Sequence, residues 1–126
     1  MQMMLLKSRS LGKILCLLYL GVLCVALLAP LPKSEGPGLV NITIRTSVDF
    51  DFLTHLVALS IWGCLLTNWR FEITTLLVIA VSIAILLEVA QGITYHRTFE
   101  ITDLVANITG VTLGLKAGFR SRINVS

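Results

Sequence analysis

Between Lys13 and Lys33 the chain carries no charged residue, and the apolar run Ile14–Leu31 lies inside that gap. Eighteen helical residues at ~1.5 Å each reach about 27 Å, against a hydrocarbon core of ~30 Å. A chain of 126 residues has room for one domain and few places to bury such a run. Composition sharpens the problem. The chain is 56% hydrophobic and 13% charged, whereas soluble domains average about 25% charged. A bilayer acting as solvent removes the conflict. A cleaved signal peptide also starts basic and turns apolar. Here the run is long for one, and Ala29-Pro30-Leu31-Pro32 offers no clean small-x-small site, which favours a retained helix.

Three more spans follow. Pro30, Pro32, Gly36, Pro37 and Gly38 break the first helix, and Val40, Ile42 and Ile44 alternate with polar residues as in an exposed strand or extended arm. Residues 32–51 thus form a loop. Phe52–Trp69 is the second span, interrupted only by His55, and it ends in the polar turn Thr67-Asn68-Trp69-Arg70. Ile73–Ile93 is the third, with Glu88 and Gln91 near its end. A short loop through Tyr95, His96 and Arg97 leads to Ile101–Phe119, the fourth and least apolar span. The expected fold is an all-α integral membrane protein, a four-helix bundle in one domain.

Charge sets the orientation. Lys7, Arg9, Lys13, Arg70, Lys116, Arg120 and Arg122 fall on one side of the four-span reading; Lys33, Arg45 and Arg97 fall on the other. The excess belongs in the cytoplasm, so both termini are expected there in a multi-pass protein of the plasma (inner) membrane. The net charge of +3 is spread over turns and ends rather than along one stripe, which argues against nucleic-acid binding. Cys16, Cys24 and Cys64 sit in apolar runs without metal-ligand spacing and read as small buried hydrophobes. No metal or cofactor is expected. Trp62 and Trp69 read as packing and interface residues.

This orientation brings the remaining polar residues to one outer level: Asp51, His55, Glu88, Gln91, Arg97, Asp103 and Asn107. Ionisable groups in a span are costly and face the protein interior. Asp103, Asn107, Gly110 and Gly114, spaced by four, three and four, share one helical face. The two glycines let a neighbouring backbone approach. Glu88 and Gln91 sit at i, i+3, and Asp51 and His55 at i, i+4. Each also has a plainer reading. Asp103 can be an N-terminal cap, Glu88 and Arg97 a register-setting ion pair, and His55 a satisfied interfacial histidine.

The run Glu88-x2-Gln91-x5-Arg97-x5-Asp103-x3-Asn107-x2-Gly110-x3-Gly114, with the upstream Asp51-x3-His55, resembles the VanZ-like family of small membrane proteins. The resemblance covers roughly residues 51–114. It departs at Phe52, where such families usually have lysine, and at Ala58, where an aromatic is common. It implies a bacterial inner-membrane location and a connection to the cell envelope, and it supplies no reaction. Three functions then compete. The first is binding of a polar or lipid-linked ligand at the outer face, Arg97 contacting an anionic group and Glu88, Gln91 and Asn107 adding hydrogen bonds. The second is an enzyme acting on a lipid-linked envelope precursor, with His55 and Glu88 as base and acid and Asp51 with Asp103 holding a divalent ion. No nucleophile elbow or metal-ligand repeat supports it, so an enzyme is the weaker expectation. The third is a small transporter or scaffold. Expected partners are membrane lipids and a lipid-linked precursor, and four short helices leave surface for a homo-oligomer.

Overall fold

The structure is a computed structural model that describes residues 2–29, 42–43, 50–93 and 99–124. It is all-helical apart from one pair of very short strands. The helices are α1 (Gln2–Leu28), α2 (Phe50–Leu66), α3 (Ile73–Ile93) and α4 (Ile101–Ile123). The strands are β1 (Ile42–Thr43) and β2 (Phe99–Glu100), which pair in parallel with Ile42 opposite Phe99 and Thr43 opposite Glu100.

Three helices differ in their bounds from the sequence reading, because the limits of a hydrophobic run are not the limits of a helix. α1 extends back through the basic residues before Ile14 and stops at Leu28 rather than Leu31, just before Pro30. Proline lacks an N–H and restricts the residue before it. α2 runs from Phe50 to Leu66 rather than from Phe52 to Trp69. Its last turn is closed by backbone and side chain together: the Thr67 N–H and hydroxyl donate to Cys64 O at 3.3 and 2.7 Å, and the Asn68 N–H and Nδ2 donate to Leu65 O at 3.1 and 2.8 Å. These satisfy carbonyls that a helix end leaves without partners. α4 continues past Phe119 to Ile123, where Arg120 and Arg122 suit the negative end of the helix dipole. The bounds of α3 agree with the sequence. Within the expected arm Ile42–Thr43 form β1, the rest of it lying outside the described residues, and residues 99–100, expected in a loop, pair with it.

Helix directions follow from the contacts. Gly110, Gly114 and Gly118 of α4 lie against Leu56, Ser60 and Cys64 of α2, so these two helices run parallel. α1 and α2 are antiparallel, since Gly12 meets Asn68 and Tyr19 Oη donates to Ala58 O at 3.1 Å. The C-terminal part of α3 lies beside the N-terminal part of α4, through Glu88 and Asn107. Direction therefore alternates along the chain. α2 and α4 form the closest pair, and α1 and α3 each pack against neighbours, while α2 and α3 barely touch.

Trp62, Leu59, Leu76, Val111, Leu115 and Cys16 fill the core. The outward faces are also apolar. Leu17, Leu18, Val22 and Val25 of α1 are exposed, as are Leu53 and Val57 of α2, Val78 and Leu86 of α3, and Leu113 of α4. Two helical segments are long and apolar enough to cross a membrane, Ser10–Leu28 and Ile73–Ile93. α2 is apolar but has 17 residues, and α4 carries Asp103, Lys116, Arg120 and Arg122.

Candidate polar site at one end of the helices

Three of these helices deliver polar side chains to a single point. Glu88, on α3, is fully buried. One of its carboxylate oxygens accepts the backbone N–H of Glu100 at 3.2 Å, and the other accepts Asn107 Nδ2 at 3.3 Å. Glu100 is the N-cap residue of α4 and makes no side-chain cap of its own. A carboxylate from the neighbouring helix thus meets an N–H that helix geometry leaves open, at the positive end of the α4 dipole.

Asn107 carries the chain onward. It is fully buried on α4, and its Oδ1 lies 2.9 Å from His55 Nδ1. His55 sits one turn into α2 and is also buried. The far side of its ring, Nε2, faces Asp103 Oδ2 at 3.8 Å. Asp103 occupies the first turn of α4 and is the most open member, with 14% of its side chain exposed. The result is a line of four groups, Glu88–Asn107–His55–Asp103, running from the interior to the edge. Buried polar groups are expensive unless bonded, and this line supplies the bonds across three helices.

Two other members of the sequence constellation lie apart from this line. Gln91 is buried, but its Nε2 donates to Leu27 O at 3.0 Å, tying α3 to the last turn of α1. Three residues on a helix turn 300°, so Gln91 points about 60° away from Glu88. Glu88 can reach α4 while Gln91 reaches α1. Asp51 lies in the first turn of α2 and is exposed. It stands one turn, or ~6 Å, beyond His55, past the level of the bonded groups. Arg97 lies outside the described residues, as do Tyr95 and His96.

Gly110 and Gly114 line the close α2–α4 contact, where an added Cβ would strike the backbone carbonyls of Leu56 and Ser60. Gly63 and Gly118 belong to the same contact and were missed. Gly63 would meet Val111 O at 2.5 Å, and Gly118 would meet Thr67 Oγ1 at 2.6 Å. The signal for Gly118 was available, since it continues the four-residue spacing. Gly63 is a lone glycine with no such cue.

The opposite end has a different chemistry. Lys13 Nζ stands 5.2 Å over the Trp69 ring, which stacks on Phe71 at 6.3 Å. Arg122 Nη1 reaches Thr67 O at 3.5 Å. Between the ends, the Cys16 thiol lies beside the indoles of Trp62 and Trp69. Their Nε1 atoms are buried without a hydrogen-bond partner among the described residues. Cys64 is exposed on the apolar flank of α2, unlike the small buried residue expected there. Among the described residues no group of three or more histidine, cysteine, aspartate or glutamate side chains could hold a metal ion.

Comparison with protein-family models, with curated proteins and with solved structures finds no match.

Proposed function

We propose that this chain is a multi-pass inner-membrane protein of the bacterial cell envelope, VanZ-like in its site, that binds a polar or lipid-linked ligand at the outer end of a four-helix bundle. The observation that carries this reading is the hydrogen-bonded line Glu88–Asn107–His55, buried inside, with Asp103 Oδ2 3.8 Å from the far side of the imidazole at the more open end. Polar groups at membrane depth mark ligand or ion sites when they converge. Support for the membrane comes from the exposed apolar faces of all four helices. A soluble chain of this size would leave those faces to water, against the usual limit of a few hundred Å² of contiguous apolar surface. The cation-rich end, with Lys13, Arg70, Lys116, Arg120 and Arg122, is then cytoplasmic. The family assignment rests on residue spacing alone.

A photoactivatable lipid probe tests the binding reading. Crosslinks are expected near the N-terminal turns of α2 and α4, and they should weaken in Arg97→Ala and Asn107→Leu. Labelling that is spread evenly over the chain, or unchanged in both variants, would overturn it.

One observation favours a second reading, an enzyme acting on a lipid-linked precursor. His55 is held at Nδ1 by Asn107, and a base oriented by a third group is the usual setting for proton transfer. Purified protein that leaves a polyprenyl-phosphate substrate unchanged, with Mg²⁺ or Mn²⁺ added, would remove that reading.

A further inference from the structure

We infer that the basic end of the molecule carries a second site, where Lys13 of α1 and Arg122 of α4 hold the phosphate of an anionic membrane phospholipid over the turn at residues 67–71. The site shares only the membrane setting with the function proposed above. None of its residues belongs to the polar line at the other end.

The turn gathers cations from two helices that are far apart in the chain. Lys13 Nζ stands 5.2 Å over the Trp69 ring, and Arg122 Nη1 reaches Thr67 O at 3.5 Å, two residues away. Arg70 lies in the turn itself, and all three cations are exposed. Gly12 lets α1 seat against this turn, since an added Cβ would strike Asn68 Oδ1 at 2.6 Å. Like charges brought together repel. Among the described residues no carboxylate ion-pairs with Lys13, Arg70 or Arg122, and Glu72, just past the turn, is exposed and joins none of them. Arg122 gives one of the five N–H groups of its guanidinium to the Thr67 carbonyl, and the Lys13 ammonium faces a ring rather than an acceptor. An anion with several acceptor oxygens complements this arrangement.

Position along the helices selects the anion. Ile14, Leu15, Leu17 and Leu18, which follow Lys13, are exposed, as are Phe71 and Ile73 beside the turn. Trp69 and Phe71 stack at the same level. Cations and aromatic rings at the edge of an apolar belt stand at the depth of lipid head groups. A zwitterionic head group adds an ammonium that Lys13 and Arg122 repel, so an anionic phospholipid fits better. The other cations of α4 are placed differently. Arg122 follows Gly118 by four residues and shares its face toward Thr67. Lys116 and Arg120 share another face, and Arg120 is turned about 200° from Arg122.

A benzophenone in place of the Phe71 ring tests the site locally, in nanodiscs of equal phosphatidylglycerol and phosphatidylcholine, with the crosslinked lipid identified by mass spectrometry. One cation near an anionic surface is worth ~1 kcal/mol, or about fivefold. Crosslinks should favour phosphatidylglycerol roughly five- to 25-fold, and Lys13→Gln with Arg122→Gln should bring the preference near unity. Lys116→Gln with Arg120→Gln removes the same charge and should change it less than about twofold. Lys13→Arg with Arg122→Lys keeps both charges and should keep the preference. Equal crosslinking of the two lipids without these substitutions, an equal fall in both charge-removing pairs, or loss in the charge-keeping pair would overturn the site. Loss of the phosphatidylglycerol crosslink on adding millimolar inorganic phosphate would also overturn it, because a free anion rather than a lipid would be the occupant. Phe71 lies at the opposite end from Asn107, so each of these outcomes leaves the reading of the polar site as it stands.

Discussion

At the scale of single residues, Asn107 has the most demanding position. It bonds a carboxylate on one side and an imidazole on the other, with no exposure to solvent or lipid. Replacing it with leucine removes a hydrogen bond from Glu88 and from His55 at once. An unsatisfied buried polar group costs about 1–3 kcal/mol, and more when charged. Asn107→Leu should therefore destabilise the protein by at least ~2 kcal/mol. Thr54→Val is the control. The Thr54 hydroxyl turns back onto Phe50 O in its own helix and is exposed, so its loss should cost within ~0.5 kcal/mol. Thermal unfolding in detergent micelles measures both. Equal stability losses would mean that the line of hydrogen bonds does not hold the helices.

At the scale of elements, the α2–α4 pair is the structural centre, and its glycines explain why. Gly110, Gly114 and Gly118 present a flat strip to Leu56, Ser60 and Cys64. Close approach of two backbones gains dispersion contacts, which would carry helix association in the proposed membrane setting. The same approach brings His55 within reach of both Asn107 and Asp103. Gly114→Ala should cost about 1–3 kcal/mol by overpacking, because its new Cβ meets backbone, which cannot step aside. Gly21→Ala should be neutral or stabilising by up to ~1 kcal/mol, since nothing lies within 4 Å of the added carbon and alanine favours helix. Chemical unfolding of the two variants side by side decides the matter. A neutral Gly114→Ala would show that the two helices can separate without loss.

At the scale of the whole molecule, the two ends of the helices differ in charge. Among the described residues one end holds Asp51, Glu88, Glu100 and Asp103 around His55; the other holds Lys13, Arg70, Lys116, Arg120 and Arg122 with Glu72. The proposed topology places the acidic end outside. In intact cells, a membrane-impermeant maleimide should label Asp51→Cys directly, and Arg70→Cys only after permeabilisation. Both positions are exposed, so access to the side chain does not limit either reaction. The reverse labelling order would invert the topology and move the site to the cytoplasmic face.

Much of this was legible in local sequence, because helices and charge asymmetry are local properties. The period and length of the apolar runs located all four helices, and α3 matches to the residue. Helix ends were less legible where side chains rather than hydropathy decide them, as at Thr67 and Asn68. The spacing of Asp103, Asn107, Gly110 and Gly114 put them on one face of α4 without reference to any neighbour. Which neighbour each group meets was decided only in the folded molecule. Glu88 and Gln91 look like partners at i, i+3, yet the ~60° between them sends one to α4 and the other to Leu27. Asp51 and His55 look equally paired at i, i+4, yet the ~6 Å between them leaves one outside. Helix rotation and depth are set by packing between helices distant in the chain. The direction of the hydrogen bonds from Glu88 to His55 depends on both, and no spacing within one segment could contain it.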